Sequence, residues 1–366
     1  TKKRPRTIDI SEEIDMVGGE MNAFTSKEIT GFYIKVASKH LDLALDVLAD
    51  IFLNSKLEKK EIAREKGVII EEINMRQDTP MNYVGVLFEN LLYGDQPAGW
   101  DTIGTKKTVS HFSRNQFLEY LKNHYVAANT IVCLAGQINH QSAIQKVKKY
   151  LAKIKKNPLQ EKRKVCESQN KAQSLVLNKK TDQCNLCLGV RGYHLFHPDR
   201  YALGLLGVIL GGGMSSRLFI SIREKQGLAY YVHTEAENYT DTGYLVTQAG
   251  VDNKKVDRVI KSILAEYRKV KDKKISSSEL KKAKEYIKGR TLLNLEESQE
   301  MASWLAGQEI LTGKILTLKE KFAKIEAVTL GDLQRVAQDI FVPEKLNLAI
   351  IGPFKDKRKF DRILVI

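Results

Sequence analysis

The chain has 366 residues, 43% of them hydrophobic, a length beyond one compact domain and a composition ordinary for a globular protein, so two domains are expected. Its 59 Lys and Arg against 44 Asp and Glu leave +15, but the excess is dispersed over helical faces without an aromatic-rich strand or zinc-finger spacing, which weighs against nucleic-acid binding. No apolar run reaches the roughly eighteen residues of a membrane span, and the charged opening Thr1-Lys-Lys-Arg4 is not followed by a signal-peptide core.

In chain order, residues 21–26 read as a strand after the Gly18-Gly19 turn, and residues 30–37 as a period-two strand followed by an amphipathic helix. Residues 58–75 read as a long charged helix with Ile62, Ile69 and Ile73 in one stripe. Residues 124–136 read as a helix end, a turn and an apolar strand, and the lysine-rich run 146–164 as a solvated helix. After a basic, proline-bearing stretch, strands are expected at 174–177 and 185–190, then an apolar helix at 201–210 closed by Gly211-Gly-Gly213.

Self-comparison finds three segment pairs in the same order. Thr30-Gly-Phe-Tyr-Ile-Lys-Val-Ala37 lines up with Thr242-Gly-Tyr-Leu-Val-Thr-Gln-Ala249, Glu58 to Gly67 with Glu279 to Gly289, and His124 to Gly136 with Asp339 to Gly352. Such near-constant offsets imply a duplication. The expected fold is α+β: two homologous domains, 1–155 and 172–366, joined by a linker at 156–171, each an antiparallel-rich sheet with helices packed on one face. Residues 172–216 precede the second half's first repeated strand, so the first half is expected to begin about forty residues before Thr1 and to lack its N-terminal strands and helix.

Glu65 and Glu72 lie almost two helical turns apart and share one face at the border of the apolar stripe. A carboxylate partly buried there calls for a cationic partner such as a metal, although a surface helix laced with Lys-Glu pairs fits the same pattern. Glu71 points toward solvent. The four cysteines, Cys133, Cys166, Cys184 and Cys187, are too few for a disulfide scaffold and suit a reducing, cytoplasmic setting; Cys184-Asn-Leu-Cys187 lies in an apolar strand and reads as two buried structural thiols. His194 and His197 sit in a loop before Pro198 and read as structural.

Gly18-Gly-Glu-Met-Asn-Ala-Phe-Thr-Ser-Lys-Glu28, Val68-Ile-Ile-Glu-Glu-Ile-Asn-Met75, Gly211-Gly-Gly-Met-Ser-Ser-Arg-Leu-Phe219 and Arg223-Glu-Lys-Gln-Gly-Leu-Ala-Tyr230 resemble, in order, signatures of the insulinase/pitrilysin family of zinc metallopeptidases. The resemblance implies Zn2+ held by an inverted His-x-x-Glu-His helix and a downstream glutamate, here Glu72 with Glu71 as rival, and an accessory glutamate at Glu65. It implies that Asn22, Ala23 and Phe24 lie on an edge strand pairing with an extended peptide, and that Arg223 and Tyr230 reach the substrate carbonyl. The implied activity is endoproteolysis of unfolded or short extended peptides in an enclosed chamber, by a homodimer without membrane or nucleic-acid partners; the alternative is a non-catalytic scaffold or partner subunit. None of the seven histidines, at 40, 111, 124, 140, 194, 197 and 233, forms His-x-x-Glu-His, and residues 205–213 match the position of that helix in the second half. The motif is therefore expected before Thr1, and these 366 residues alone are expected to be inactive.

Overall fold

The structure is a computed structural model describing residues 1–366. Its elements are α1 (Thr7–Asp15), β1 (Glu20–Thr25), β2 (Thr30–Lys35), α2 (Leu41–Asn54), α3 (Lys59–Gln77), α4 (Pro80–Tyr93), α5 (Lys106–His111), α6 (Arg114–His124) and α7 (His140–Leu151), then β3 (Gln173–Asn178), β4 (Gln183–Arg191), α8 (Arg200–Gly211), β5 (Ala229–Asn238), β6 (Gly243–Asp252), α9 (Val256–Asp272), α10 (Ser277–Asn294), α11 (Ser298–Thr312), α12 (Leu318–Glu326), α13 (Leu330–Ile340), β7 (Leu346–Gly352) and α14 (Arg358–Ile363). The order β1-β2-α2-α3-α4-α5-α6 recurs as β5-β6-α9-α10-α11-α12-α13. Helix starts repeat too: Thr105 and Ser113 cap α5 and α6, and Thr317 and Thr329 cap α12 and α13, each in a reciprocal capping box.

Two compact units form, neither continuous in sequence. One comprises Thr1–Glu72, Thr102–Lys162 and Leu292–Ile315; the other comprises Ile73–Asp101, Arg163–Thr291 and Leu316–Ile366. Helix α4 of the first half thus belongs to the second unit, and α11 of the second half to the first.

The second unit is built on a five-stranded sheet in the order β3-β7-β4-β6-β5, antiparallel except for the β3–β7 pair. Side chains alternate across it. Cys184, Leu186, Leu188 and Val190 of β4 face a core shared with α8, α9 and α13, while Cys187 faces a second core on the other side. Helix α9 buries Val256, Val259, Ile260, Ile263, Leu264, Tyr267 and Val270, the three-and-four spacing of a helix with one apolar face. The Tyr267 hydroxyl, deep in that core, lies 2.6 Å from Thr247 Oγ1 and donates to the Leu188 carbonyl at 3.0 Å, so its burial leaves no polar atom unpaired.

Helix α4 covers the opposite face, setting Val84, Phe88, Leu92 and Tyr93 against Cys187, Val246, Ala349 and Ile351. Gly189 makes room for it: a Cβ there would lie 2.8 Å from Phe88 Cζ. Residues 163–169 are irregular but tied to this unit. The Val165 N–H donates to Asp241 Oδ2 at 2.9 Å, and Gln96 grips Cys166 from both sides, accepting from its N–H and donating to its carbonyl, each at 2.9 Å.

The first unit has only the β1–β2 hairpin as sheet. Helix α2 buries Ala44, Leu45, Val47 and Ala49 beside it. Arg4, 2% exposed, is neutralised by Glu13 and Asp46 at 2.6 Å and Asp50 at 3.0 Å, the pairing that a buried guanidinium requires.

Two expectations fail in this unit. Residues 130–135 form no strand, and Ile131 and Val132 are exposed; β7, their repeat counterpart, is flanked by β3 and β4, whereas no strand stands beside 130–135 to take its main-chain groups. The lysine-rich helix expected through 164 stops at Leu151. Beyond it the Lys155 carbonyl accepts from the Ala127 N–H at 2.8 Å and Asn157 Nδ2 donates to the Lys122 carbonyl at 2.9 Å, and Pro158 cannot continue a helix.

Candidate functional site

Helix α3 carries the three candidate glutamates. Glu65 and Glu72 fall within about 20° of each other around the axis and about 10.5 Å apart along it. Both are exposed, and neither makes a hydrogen bond or ion pair. Nearby charges on the helix are engaged: Arg64 pairs with Glu61, and Lys66 Nζ donates to the Ser110 carbonyl at 2.8 Å. The expected partial burial is absent, because α3 buries only Ile73 and leaves Ile62 and Ile69 half-exposed. Two uncompensated carboxylates in a chain of net charge +15 are thus left open to a cationic partner.

Strand β1 presents Asn22, Ala23 and Phe24. It pairs with β2 alone, in the register Asn22↔Tyr33, Ala23↔Phe32 and Phe24↔Gly31, and its outer edge is open. The Ser26 N–H donates to the Ile29 carbonyl at 2.8 Å across the turn. Alternation from that pair puts Phe24, Asn22 and Glu20 in the hydrogen-bonded positions, so the main-chain groups of Met21, Ala23 and Thr25 face the open edge. Consistently, the Ala23 N–H finds only its neighbour's side chain, Asn22 Oδ1, at 2.8 Å. Gly31 lies opposite, and the Phe24 ring rests over it, where a Cβ would lie 2.3 Å from the ring.

In the other unit, Arg223 and Tyr230 flank a tight reversal. A single wide helical turn, Phe219–Glu224, carries Arg223, whose guanidinium lies 4.9 Å from the Phe219 ring centroid. The chain reverses at Gly227, whose φ of +56° suits glycine, and enters β5. The β5–β6 register shifts between Ala229 and Tyr231, leaving Tyr230 as the extra residue of a bulge, its ring 60% exposed. Neither the Arg223 guanidinium nor the Tyr230 hydroxyl makes a hydrogen bond.

The turn is anchored by a pair that sequence inspection did not single out. Arg217 donates to both Glu279 oxygens at 2.7 and 3.0 Å, and this guanidinium, with Ser276 donating as well, holds the carboxyl at about 2. The partners lie 62 residues apart, a separation with no local signature.

A zinc site takes three protein ligands around one ion. No group of three His, Cys, Asp or Glu side chains converges in this way anywhere in the chain, and Glu72 is a lone carboxylate. These residues do not by themselves make a zinc site. The thiols take no part: burial pushes Cys184 up to about 12 and Cys187 higher still, as inert core groups. His197 stacks on Tyr193 at 4.0 Å and its Nδ1 accepts from the Asp199 N–H, a structural role.

Comparison with known proteins places this arrangement. Residues 1–106 match the family model described as insulinase (peptidase family M16), and residues 111–287 match that described as the peptidase M16 inactive domain. "Uncharacterized zinc protease YmxG" of Bacillus subtilis is 36% identical over 349 residues, covering 94% of this chain and 83% of that protein. The chain belongs to the insulinase family. Among solved structures, the insulinase-family fold matches a protease from Helicobacter pylori with a TM-score of 0.89 at 25% identity, covering 96% of this chain and 86% of that one. It also matches a chain of complex III2 from Candida albicans with a TM-score of 0.86 at 19% identity, covering 98% and 90%. No helix is long and apolar enough to cross a membrane.

Proposed function

We propose that the protein is a peptidase acting on extended peptides, in which the open edge of β1 receives the substrate as an added strand. The observation that carries this reading is the unpaired edge at Met21, Ala23 and Thr25, whose one outward donor with a partner is held only by a neighbouring side chain. In this reading Asn22 and Phe24 flank the bound strand, and Arg223 and Tyr230, both exposed and free of hydrogen bonds, donate to substrate carbonyl oxygen. Glu72 serves as one ligand of a catalytic Zn2+ and Glu65 as its accessory carboxylate. The other ligands are not found among these residues, so no hydrolytic step is assigned to them alone. Cleavage inside an enclosed chamber, a homodimeric state, a cytoplasmic setting and the division into 1–155 and 172–366 belong to the same proposal.

The test is zinc content and cleavage of a fluorogenic peptide, measured on the intact protein and its Glu72→Gln variant. Loss of both is expected; undiminished metal and turnover in the variant would remove Glu72 from the site. The second reading, a non-catalytic partner subunit, is favoured by the inactive-domain match over residues 111–287. It predicts an intact protein that binds peptide without zinc-dependent turnover.

A further inference from the structure

The same turn that bears Arg223 forms one wall of a groove with no part in the reading above. Its other wall is α9. Two adjoining depressions, of about 520 and 460 Å³, meet at Gln226, the first lined in part by Lys225 and Lys269 and the second by Lys254, Arg258 and Lys261. Gln226 bridges the walls, donating to the Ser221 carbonyl at 2.8 Å and accepting from Arg258 Nε at 3.1 Å.

Charge around this groove is one-sided. Each acid lining it is already neutralised: Glu279 by Arg217 at 2.7 Å, Glu266 by Lys269 at 2.7 Å and Asp257 by Lys359 at 2.9 Å. Beyond Arg217 and Lys269, which serve in those pairs, four further cations line it. The ammonium groups of Lys225, Lys254 and Lys261 have no hydrogen-bond or ion-pair partner, and the Arg258 guanidinium has only the neutral Gln226. The apolar face of α9 is fully used by the core, so these cations mark its solvent face. Packing does not require them there, because any polar residue would solvate that face equally well.

We propose that this groove is a docking site for an acidic polypeptide segment. Lys254, Arg258 and Lys261 follow one another at spacings of four and three residues at the start of α9, about 4.5–6 Å apart along the axis for helical spacing. An extended chain with Asp or Glu at every second position repeats about every 6.6–7 Å, and flexible lysine side chains absorb the difference. Carboxylates would bind Lys254, Arg258 and Lys261 on one wall and Lys225 on the other. Nucleic acid fits less well: none of the lining residues is aromatic, so bases find nothing to stack on. None of the lining residues has a role in the proposed peptidase site, so the groove does not depend on that activity.

The probe is a fluorescently labelled 12-residue peptide of alternating Glu and Ser, titrated with the 366-residue protein by anisotropy at low ionic strength. Binding should be at least tenfold tighter than for the Gln-Ser counterpart, and at least tenfold weaker for Arg258→Glu/Lys261→Glu, with Lys225→Ala weakening it to a lesser degree. The control is Lys148→Glu/Lys149→Glu on the exposed face of α7, which makes the same change in net charge and should bind as the parent does. Equal loss in the control would reduce the effect to bulk charge and overturn the site. So would unchanged binding in the groove variant with unaltered circular dichroism, or a single-stranded DNA of equal charge binding the groove more tightly than the peptide.

Discussion

Replacing Phe88 by Ala tests the most unusual structural feature, a helix of one half serving as the covering layer of the other half's sheet. The ring is 1% exposed, packs edge-to-face on Tyr244 at 5.5 Å and ends against Gly189. Phe→Ala at such a site costs about 3–5 kcal/mol, of which the aromatic pair supplies about 0.5–1.5. With a urea dependence of about 2–3 kcal/mol/M for a unit of this size, the midpoint should fall by about 1.5 M. The chain has two tryptophans, Trp100 within the Ile73–Asp101 segment and Trp304, so fluorescence in a Trp304→Phe background reports the unit that contains α4. Exposed Phe112, truncated to Ala in the same background, should shift the midpoint by less than about 0.3 M. If Phe88→Ala shifted it no further than Phe112→Ala does, α4 would not be a structural layer of that sheet.

Glu279 should give the protein an acid-sensitive increment of stability. Its folded-state value of about 2 lies below the ordinary 4.5, so the contribution is complete above about pH 4.5 and fades as pH falls toward 2. The full shift corresponds to about 3 kcal/mol, discounted to about 1–2 for a partly exposed pair. Glu279→Gln should flatten the urea midpoint across that window, and an unchanged pH profile would contradict the pairing. Arg223→Lys and Tyr230→Phe should leave the Tm unchanged, since neither group is hydrogen-bonded, while weakening binding of an extended peptide if they act as proposed; a fall in Tm of several degrees would show a structural role instead. Gly211→Ala should destabilise by about 1–3 kcal/mol, because its Cβ would come 2.4 Å from the Thr234 main chain; wild-type stability would mean that α8 does not approach β5 so closely.

Much of the second half was legible because its elements are strongly patterned. Strands 174–177 and 185–190 and helix 201–210 emerge as β3, β4 and α8, where continuous apolar runs meet glycine and charged boundaries. The duplication was legible in three local pairs and is sharpened by the repeated caps of α5, α6, α12 and α13. What local pattern could not show is pairing across distance. Residues 130–135 have the composition of a strand but lack a neighbour, and the apolar face of α4, in the first half of the chain, is completed by β4, β6 and β7 of the second. On the candidate site, the positions of Glu65 and Glu72 on one helical face followed from spacing. Their exposure did not, since Ile62 and Ile69 suggest a deeper stripe than α3 buries. The bulge that projects Tyr230 arises from the β5–β6 register and has no signature in the tyrosine itself.

Strand addition at β1 is tested most directly by Ala23→Pro. The Ala23 N–H faces the open edge and takes no part in pairing with β2, so proline removes the donor an incoming strand would use while the hairpin remains. Binding of an extended peptide, followed by anisotropy, should weaken about tenfold, one lost hydrogen bond and the ring's bulk together, with circular dichroism unchanged. Undiminished affinity in a folded Ala23→Pro protein would mean that peptides do not bind along this edge.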